Sequence, residues 1–153
     1  MRKWGFLFYK GMSSEENGVD FILGNLAIGN YQEALEPPPD ISALLCVAQE
    51  KGIDEPTHLY HKVPIVDMQP IPTDQLKESV EWIRDNISSH KIMVFCNAGV
   101  GRSPSVVIAY LCCVLGYSFG KAVEYVATRK PYMSILPNLM VNIEETKKQI
   151  ERV

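Results

Sequence analysis

"KIMVFCNAGVGRSPSVVIAYLCCVLG" (Lys91–Gly116) is the stretch on which the reading of this chain turns. Its first five residues, Lys91 to Phe95, are too apolar to keep a solvent face, which marks a central strand covered on both sides. Its second half, from about Ser103 to Leu115, predicts a buried helix with Gly116 as terminator. Between them lies a loop with almost no side chains. Strand, glycine-containing loop and helix make an anion-binding geometry: backbone N–H groups converge in a nest, and the helix N-terminus adds partial positive charge. Gly99 and Gly101 allow positive φ and close backbone approach. Arg102 brings a planar fork that can hold two phosphoryl oxygens. Cys96 stands at the entrance to the nest, where the amides and Arg102 favour thiolate over thiol. A thiolate beneath a cradled tetrahedral dianion is set for attack on phosphorus, so the pattern points to a phosphocysteine. Cysteine and arginine alone would be a weak signal, equally a structural thiol beside a surface cation. The two glycines, Ser103 and the apolar flanks make it specific.

Working outward, strands alternate with helices. "FILGNLAIGN" reads as two short strands around Gly24-Asn25, "SALLCVA" (Ser42 to Ala48) as a buried strand, and "HLYHKVPIV" as a strand that Pro64 places near an edge. "PTDQLKESVEWIRDNISSH" predicts an amphipathic helix through Leu76, Val80, Ile83 and Ile87, capped by Thr73 or Asp74. Ser118 is placed to cap a helix carrying Phe119, Ala122, Val123, Val126 and Ala127 on one stripe, with Pro131 ending it. A last helix runs from about Asn138 through Leu139, Ile143 and Ile150. The fold class is therefore α/β: a central mixed, mostly parallel sheet flanked by helices, in one domain over 1–153 with residues 1–19 as an N-terminal extension. The Cys96 loop falls at the carboxyl end of the central strand, where such sheets hold their ligands.

Composition narrows the functions. A net charge of −3 gives no electrostatic footprint for nucleic acid or an anionic membrane. The longest apolar run is too short to span a bilayer, and Trp4 to Tyr9 is too brief for a signal peptide. Cys46, Cys96, Cys112 and Cys113 form no zinc-site spacing and fit a reducing compartment. No metal, no other cofactor, no nucleic acid and no membrane partner is expected; a monomer in the cytoplasm or nucleus is.

"CNAGVGRS" (Cys96 to Ser103) resembles the Cys-x5-Arg-Ser/Thr signature of the protein tyrosine phosphatase superfamily. "PSVVIAYLCCVLGYSFGKAVEYVATRKPYMSILPN" is similar to its dual-specificity branch, as are "FILGNLAIGNYQEAL" and "VPIVDMQPIPTDQL", so the likeness runs from about Asp20 onward. It implies metal-free hydrolysis of phosphate monoesters. It also implies that Cys96 is the nucleophile. Asn97, Ala98, Gly99, Val100, Gly101 and Arg102 would bind phosphate, and Ser103 would help the thiolate leave. The chain departs from the pattern at Phe95, where the family usually has a histidine, and slower turnover is expected.

An alkoxide leaves badly unless protonated, so a carboxylic acid must reach the ester oxygen. By the resemblance that acid is Asp67, 29 positions before Cys96, on a loop stiffened by Pro70 and Pro72. Asp74 is the alternative, better read as a helix cap. Cys46 matches a cysteine that in some relatives forms a protective disulfide with the nucleophile; a buried core thiol is the plainer reading. Cys112 and Cys113 read as helix packing, and His58, His61 and His90 as surface residues. Trp4, Phe6, Phe8 and Tyr9 read as a segment packed on the core rather than as a rim to the site.

The loop's side chains carry no charge besides Arg102, whereas a polyanion needs several cations. That favours a phosphorylated protein residue, tyrosine or serine/threonine. Two other readings stand beside it: a laforin-like glucan phosphatase, and a phosphate-binding scaffold with little turnover.

Overall fold

The computed structural model describes residues 19–151, so the Trp4, Phe6, Phe8 and Tyr9 cluster lies outside the described residues. Five strands are present: β1 (Asp20–Leu23), β2 (Leu26–Gly29), β3 (Ala43–Cys46), β4 (Leu59–Lys62) and β5 (Ile92–Phe95). They form one mixed sheet in the order β1-β2-β5-β3-β4. β1 and β2 are an antiparallel hairpin turning at Gly24-Asn25, and every other pairing is parallel. β5 is fully buried at the centre and β4 lies at an edge, as their apolar content and Pro64 predict.

The helices are α1 (Tyr31–Leu35), α2 (Thr73–Asn86), α3 (Arg102–Cys113), α4 (Phe119–Arg129) and α5 (Leu139–Glu151). α3 is buried continuously from Arg102 to Cys112, because it packs on β2 and β5 and is wrapped by α2, α4 and α5. Each of its valine, isoleucine and leucine side chains contributes about 1.5–3 kcal/mol by leaving water. This anchoring fixes the N-terminus of α3 against the end of β5. Among the described residues no helix is long and apolar enough to cross a membrane.

Two local expectations are corrected. α2 starts one residue early: Pro72 holds the N-cap position with no side-chain cap, and its carbonyl accepts from Leu76 N at 3.0 Å. Thr73 and Asp74 become first-turn residues, and Asp74 faces the helix dipole rather than capping it. On α4 Ser118 does cap, accepting from Lys121 N at 3.3 Å. Ala122 and Val126 are buried, but Ala127 falls one position beyond the stripe and is exposed.

The topology decides where a site can form. β5 inserts between β2 and β3, with Phe95 level with both Gly29 and Cys46, and Cys46 level with Lys62. The four parallel strands therefore end in one row, and the segments leaving them gather along one edge of the sheet.

Candidate active site

All four of those segments contribute. The end of β5 delivers Cys96, which is 2% exposed. The chain then bends through Gly99 at φ +78, where a Cβ would stand 2.9 Å from Gly29 O and 3.3 Å from Asn30 N. Only glycine fits that approach without strain. The end of β2 braces the loop from behind, since Tyr31 N donates to Asn97 O at 3.0 Å. Tyr31 is held by a capping box in which Glu33 N donates to Asn30 Oδ1 at 2.8 Å and Asn30 N to Glu33 Oε1 at 2.7 Å. Gly101 does not use the freedom that glycine allows. Its φ is −125, and a Cβ there would make only ordinary contacts, the nearest at 3.6 Å to Ser134 Oγ. One left-handed residue, Gly99, suffices to turn the loop. No side chain caps α3, which leaves its N-terminal turn open to an anion.

Arg102 is 2% exposed yet charged, and its partners come from the ends of β3 and β4. Nη1 donates to Glu50 Oε1 at 2.7 Å and to Ile65 O at 3.0 Å, and Nη2 donates to Glu50 Oε2 at 2.6 Å. The bonds to Arg102 hold the Glu50 carboxyl down at about 2. The same bonds to Glu50, reinforced by Asp67 and Cys96, push the guanidinium above its ordinary value, more than offsetting its burial. Arg102 Nε is buried without a hydrogen-bond partner, and Asp67 Oδ1 stands 3.7 Å from it. Asp67 is exposed, and its Oδ1 accepts from Met68 N at 2.9 Å in a turn where Met68 takes φ +62.

The opposite wall is the segment between α4 and α5. Ser134 N donates to Val100 O at 2.6 Å, and Leu136 N donates to the buried Ser105 Oγ at 3.0 Å. Together these parts enclose a cavity of about 450 Å³ with Cys96, Ala98 and Gly101 at its base. Asp67 and Met68 form one side and Ser134 to Pro137 the other. Among the described residues Arg102 is the one cation lining it.

The structure thus brings Cys96, Ala98, Val100, Gly101, Arg102 and Asp67 to one cavity. Asn97 and Gly99 form the back of the loop, against α1 and Gly29. Ser103 is fully buried one residue along, its Oγ without a partner. Asp74 does not join them; it lines a separate surface groove with His61 and Trp82. His61 is stacked on Trp82 and bonded to Glu78 at 2.8 Å, and His90 is bonded to Ser42, so neither belongs to the cavity. Phe95 is fully buried, and its carbonyl accepts from Val47 N at 2.8 Å. Cys46 is a buried thiol donating to Lys51 O at 3.4 Å, and burial pushes it up, as it pushes Cys112 up to about 11.

Glu50 is the residue that sequence reading missed. Its one signal was position: it follows β3 at the carboxyl end of a strand adjoining the central one. Ser105 and Ser134 were missed too, one hidden inside an apolar helix and the other in an irregular segment.

Residues 31–149 match the family model "Dual specificity phosphatase, catalytic domain". The mouse dual specificity protein phosphatase 15 is 24% identical over 135 residues, covering 84% of this chain and 57% of that protein. The Arabidopsis thaliana dual specificity protein phosphatase 1B is 28% identical over 145 residues, 93% of this chain and 85% of that protein. Among solved structures, the human tyrosine phosphatase-like serine/threonine/tyrosine-interacting protein superposes with a TM-score of 0.77 at 22% identity, covering 90% of this chain and 99% of that one. The chain therefore spans little more than half the length of its mouse relative.

Proposed function

The chain belongs to the dual specificity phosphatase family, and from that premise we propose that it hydrolyses phosphate monoesters on protein tyrosine and serine/threonine through a phosphocysteine. One observation carries the proposal. Arg102, buried and gripped by Glu50, keeps its Nε unpartnered in a cavity based on Cys96, with Asp67 beside the same atom. A buried donor left without a partner costs about 1–3 kcal/mol, and a phosphoryl oxygen is the group that relieves it here.

In the first step the Cys96 thiolate attacks phosphorus, the bond to the ester oxygen breaks, and Asp67 delivers its proton to that oxygen. The loop amides and Arg102 hold the equatorial oxygens as negative charge spreads over them. In the second step Asp67 takes a proton from water, whose oxygen attacks phosphorus as the S–P bond breaks. Ser103 Oγ donates to the departing sulfur, and inorganic phosphate is released. Among the described residues the lining offers no Lys and no second Arg, which supports a singly phosphorylated substrate over a polyphosphorylated one.

Hydrolysis of p-nitrophenyl phosphate tests this. Wild-type activity abolished by Cys96→Ser is expected; no hydrolysis, or full activity in that variant, overturns the mechanism. Release of phosphate from amylopectin at a rate rivalling phosphopeptides would move the substrate assignment to glucans.

A further inference from the structure

The catalytic cavity does not end at its rim. Ile135, Leu136 and Pro137 also form one wall of an adjoining groove of about 440 Å³, whose other side is Phe119 and the first residues of α5. No charged side chain among the described residues lines that groove. Among the described residues ten large apolar side chains are exposed, and five of them line these two adjoining hollows: Met68, Val100 and Ile135 around the cavity, Met140 and Val141 along the groove. Met140 and Val141 are 53% and 50% exposed, while Leu139 and Ile143 on the same helix are buried in the core. Helix packing therefore accounts for one face of α5 and leaves the other unexplained. Apolar side chains gathered on one face, rather than scattered, mark a surface that something covers.

We propose that this groove is the flank-binding part of the substrate site, taking large apolar side chains next to the phosphorylated residue of an extended protein segment. The inference rests on the phosphatase reading and refines its substrate class. The wall of Ile135, Leu136 and Pro137 that the groove shares with the catalytic cavity identifies the occupant, since a chain whose phosphate lies over Cys96 must leave along one of the cavity's walls. The Ile135 wall is fixed to the phosphate loop by the Ser134-to-Val100 and Leu136-to-Ser105 hydrogen bonds, so the groove keeps its register to the reacting phosphorus. Charge separates a peptide from a lipid surface. An anionic bilayer needs a cluster of cations beside the site, whereas among the described residues this lining holds Arg102 alone, already paired with Glu50.

The test compares two phosphopeptides with the same phosphorylated residue, one flanked by Leu and Phe and the other by Ser and Gly. Wild-type kcat/KM is expected to favour the apolar peptide by about tenfold, carried by KM. A Met140→Glu/Val141→Glu variant should lose that preference while keeping p-nitrophenyl phosphate turnover, because so small a substrate does not reach the groove. Equal kcat/KM for the two peptides in the wild type, or a preference that survives in the variant, overturns the proposal. So does faster release from a phosphomonoester lipid in phosphatidylcholine vesicles than from either peptide. If p-nitrophenyl phosphate itself is not hydrolysed, the phosphatase reading fails separately. Calorimetric binding of the same two peptides to the Cys96→Ser protein then decides the groove: tighter binding of the apolar one upholds it, and equal binding sinks it.

Discussion

Arg102 and Glu50 meet fork to fork, Nη1 to Oε1 at 2.7 Å and Nη2 to Oε2 at 2.6 Å. The carboxylate takes the two terminal nitrogens and leaves the buried Nε beside Asp67, so Glu50 sets the angle of the guanidinium that is proposed to meet the oxyanion. Glu50→Gln keeps the volume but loses the charge and half of the fork. We expect kcat/KM to fall by about 10²-fold, the usual consequence of misplacing a positioning group by an ångström. Steady-state kinetics on p-nitrophenyl phosphate would measure it.

The same pair predicts an acid limb in stability. Glu50 sits at about 2 in the folded chain against an ordinary 4.5, so the folded state binds its proton less readily than the unfolded one. The stabilisation is therefore complete above 4.5 and is lost as pH falls toward 2. Denaturant titrations over that window should show stability declining with pH, more steeply in the wild type than in Glu50→Gln. Equal slopes would mean that the half-exposed carboxylate is screened.

Gly99 leaves no room for a side chain. Gly99→Ala combines a φ of +78 with a Cβ placed 2.9 Å from Gly29 O, and the loop must shift to accept it. A loss of about 1–3 kcal/mol is expected from thermal melts, with phosphate or vanadate affinity falling further than stability explains. Gly101→Ala, at a φ of −125 with ordinary contacts, should be milder in both measures.

The two aspartates are separable. Asp67→Asn should slow turnover of an alkyl phosphate by about 10²-fold or more, because the leaving oxygen loses its proton donor. Asp74→Asn, in the groove beside His61, should leave turnover unchanged. The reverse pattern would transfer the acid role to Asp74.

Asn30 tests the brace behind the loop. Asn30→Ala removes the acceptor for Glu33 N and should cost about 1 kcal/mol of stability. Since Tyr31 N holds Asn97 O, the loosened helix start should also raise KM for phosphopeptides. A stability loss with KM unmoved would confine the capping box to a structural role.

Much of the molecule is written locally. The alternation of apolar runs with turn residues announces β2, β3, β5 and α3, because burial on both faces demands uninterrupted apolar sequence. Cys96, the glycines and Arg102 are legible for the same reason: loop, nest and fork lie within one short segment, and their chemistry follows from neighbours along the chain. The cap of α2 and the backbone angle of Gly101 were not legible. Each depends on how one residue settles among several workable conformations, a choice made by packing.

What only the tertiary structure decided is the company that segment keeps. Glu50 lies 52 positions from Arg102, Asp67 35 from it, and Tyr31 66 from Asn97. No periodicity links them. They meet because β5 threads between β2 and β3 and the parallel strands end in a row, which brings four remote segments to one edge. Sequence alone therefore named the groups proposed to cradle a phosphate, since those groups are contiguous. The sheet order determined which carboxylate holds the arginine and which shares the cavity with Cys96, since contact between distant residues is set by topology rather than by spacing.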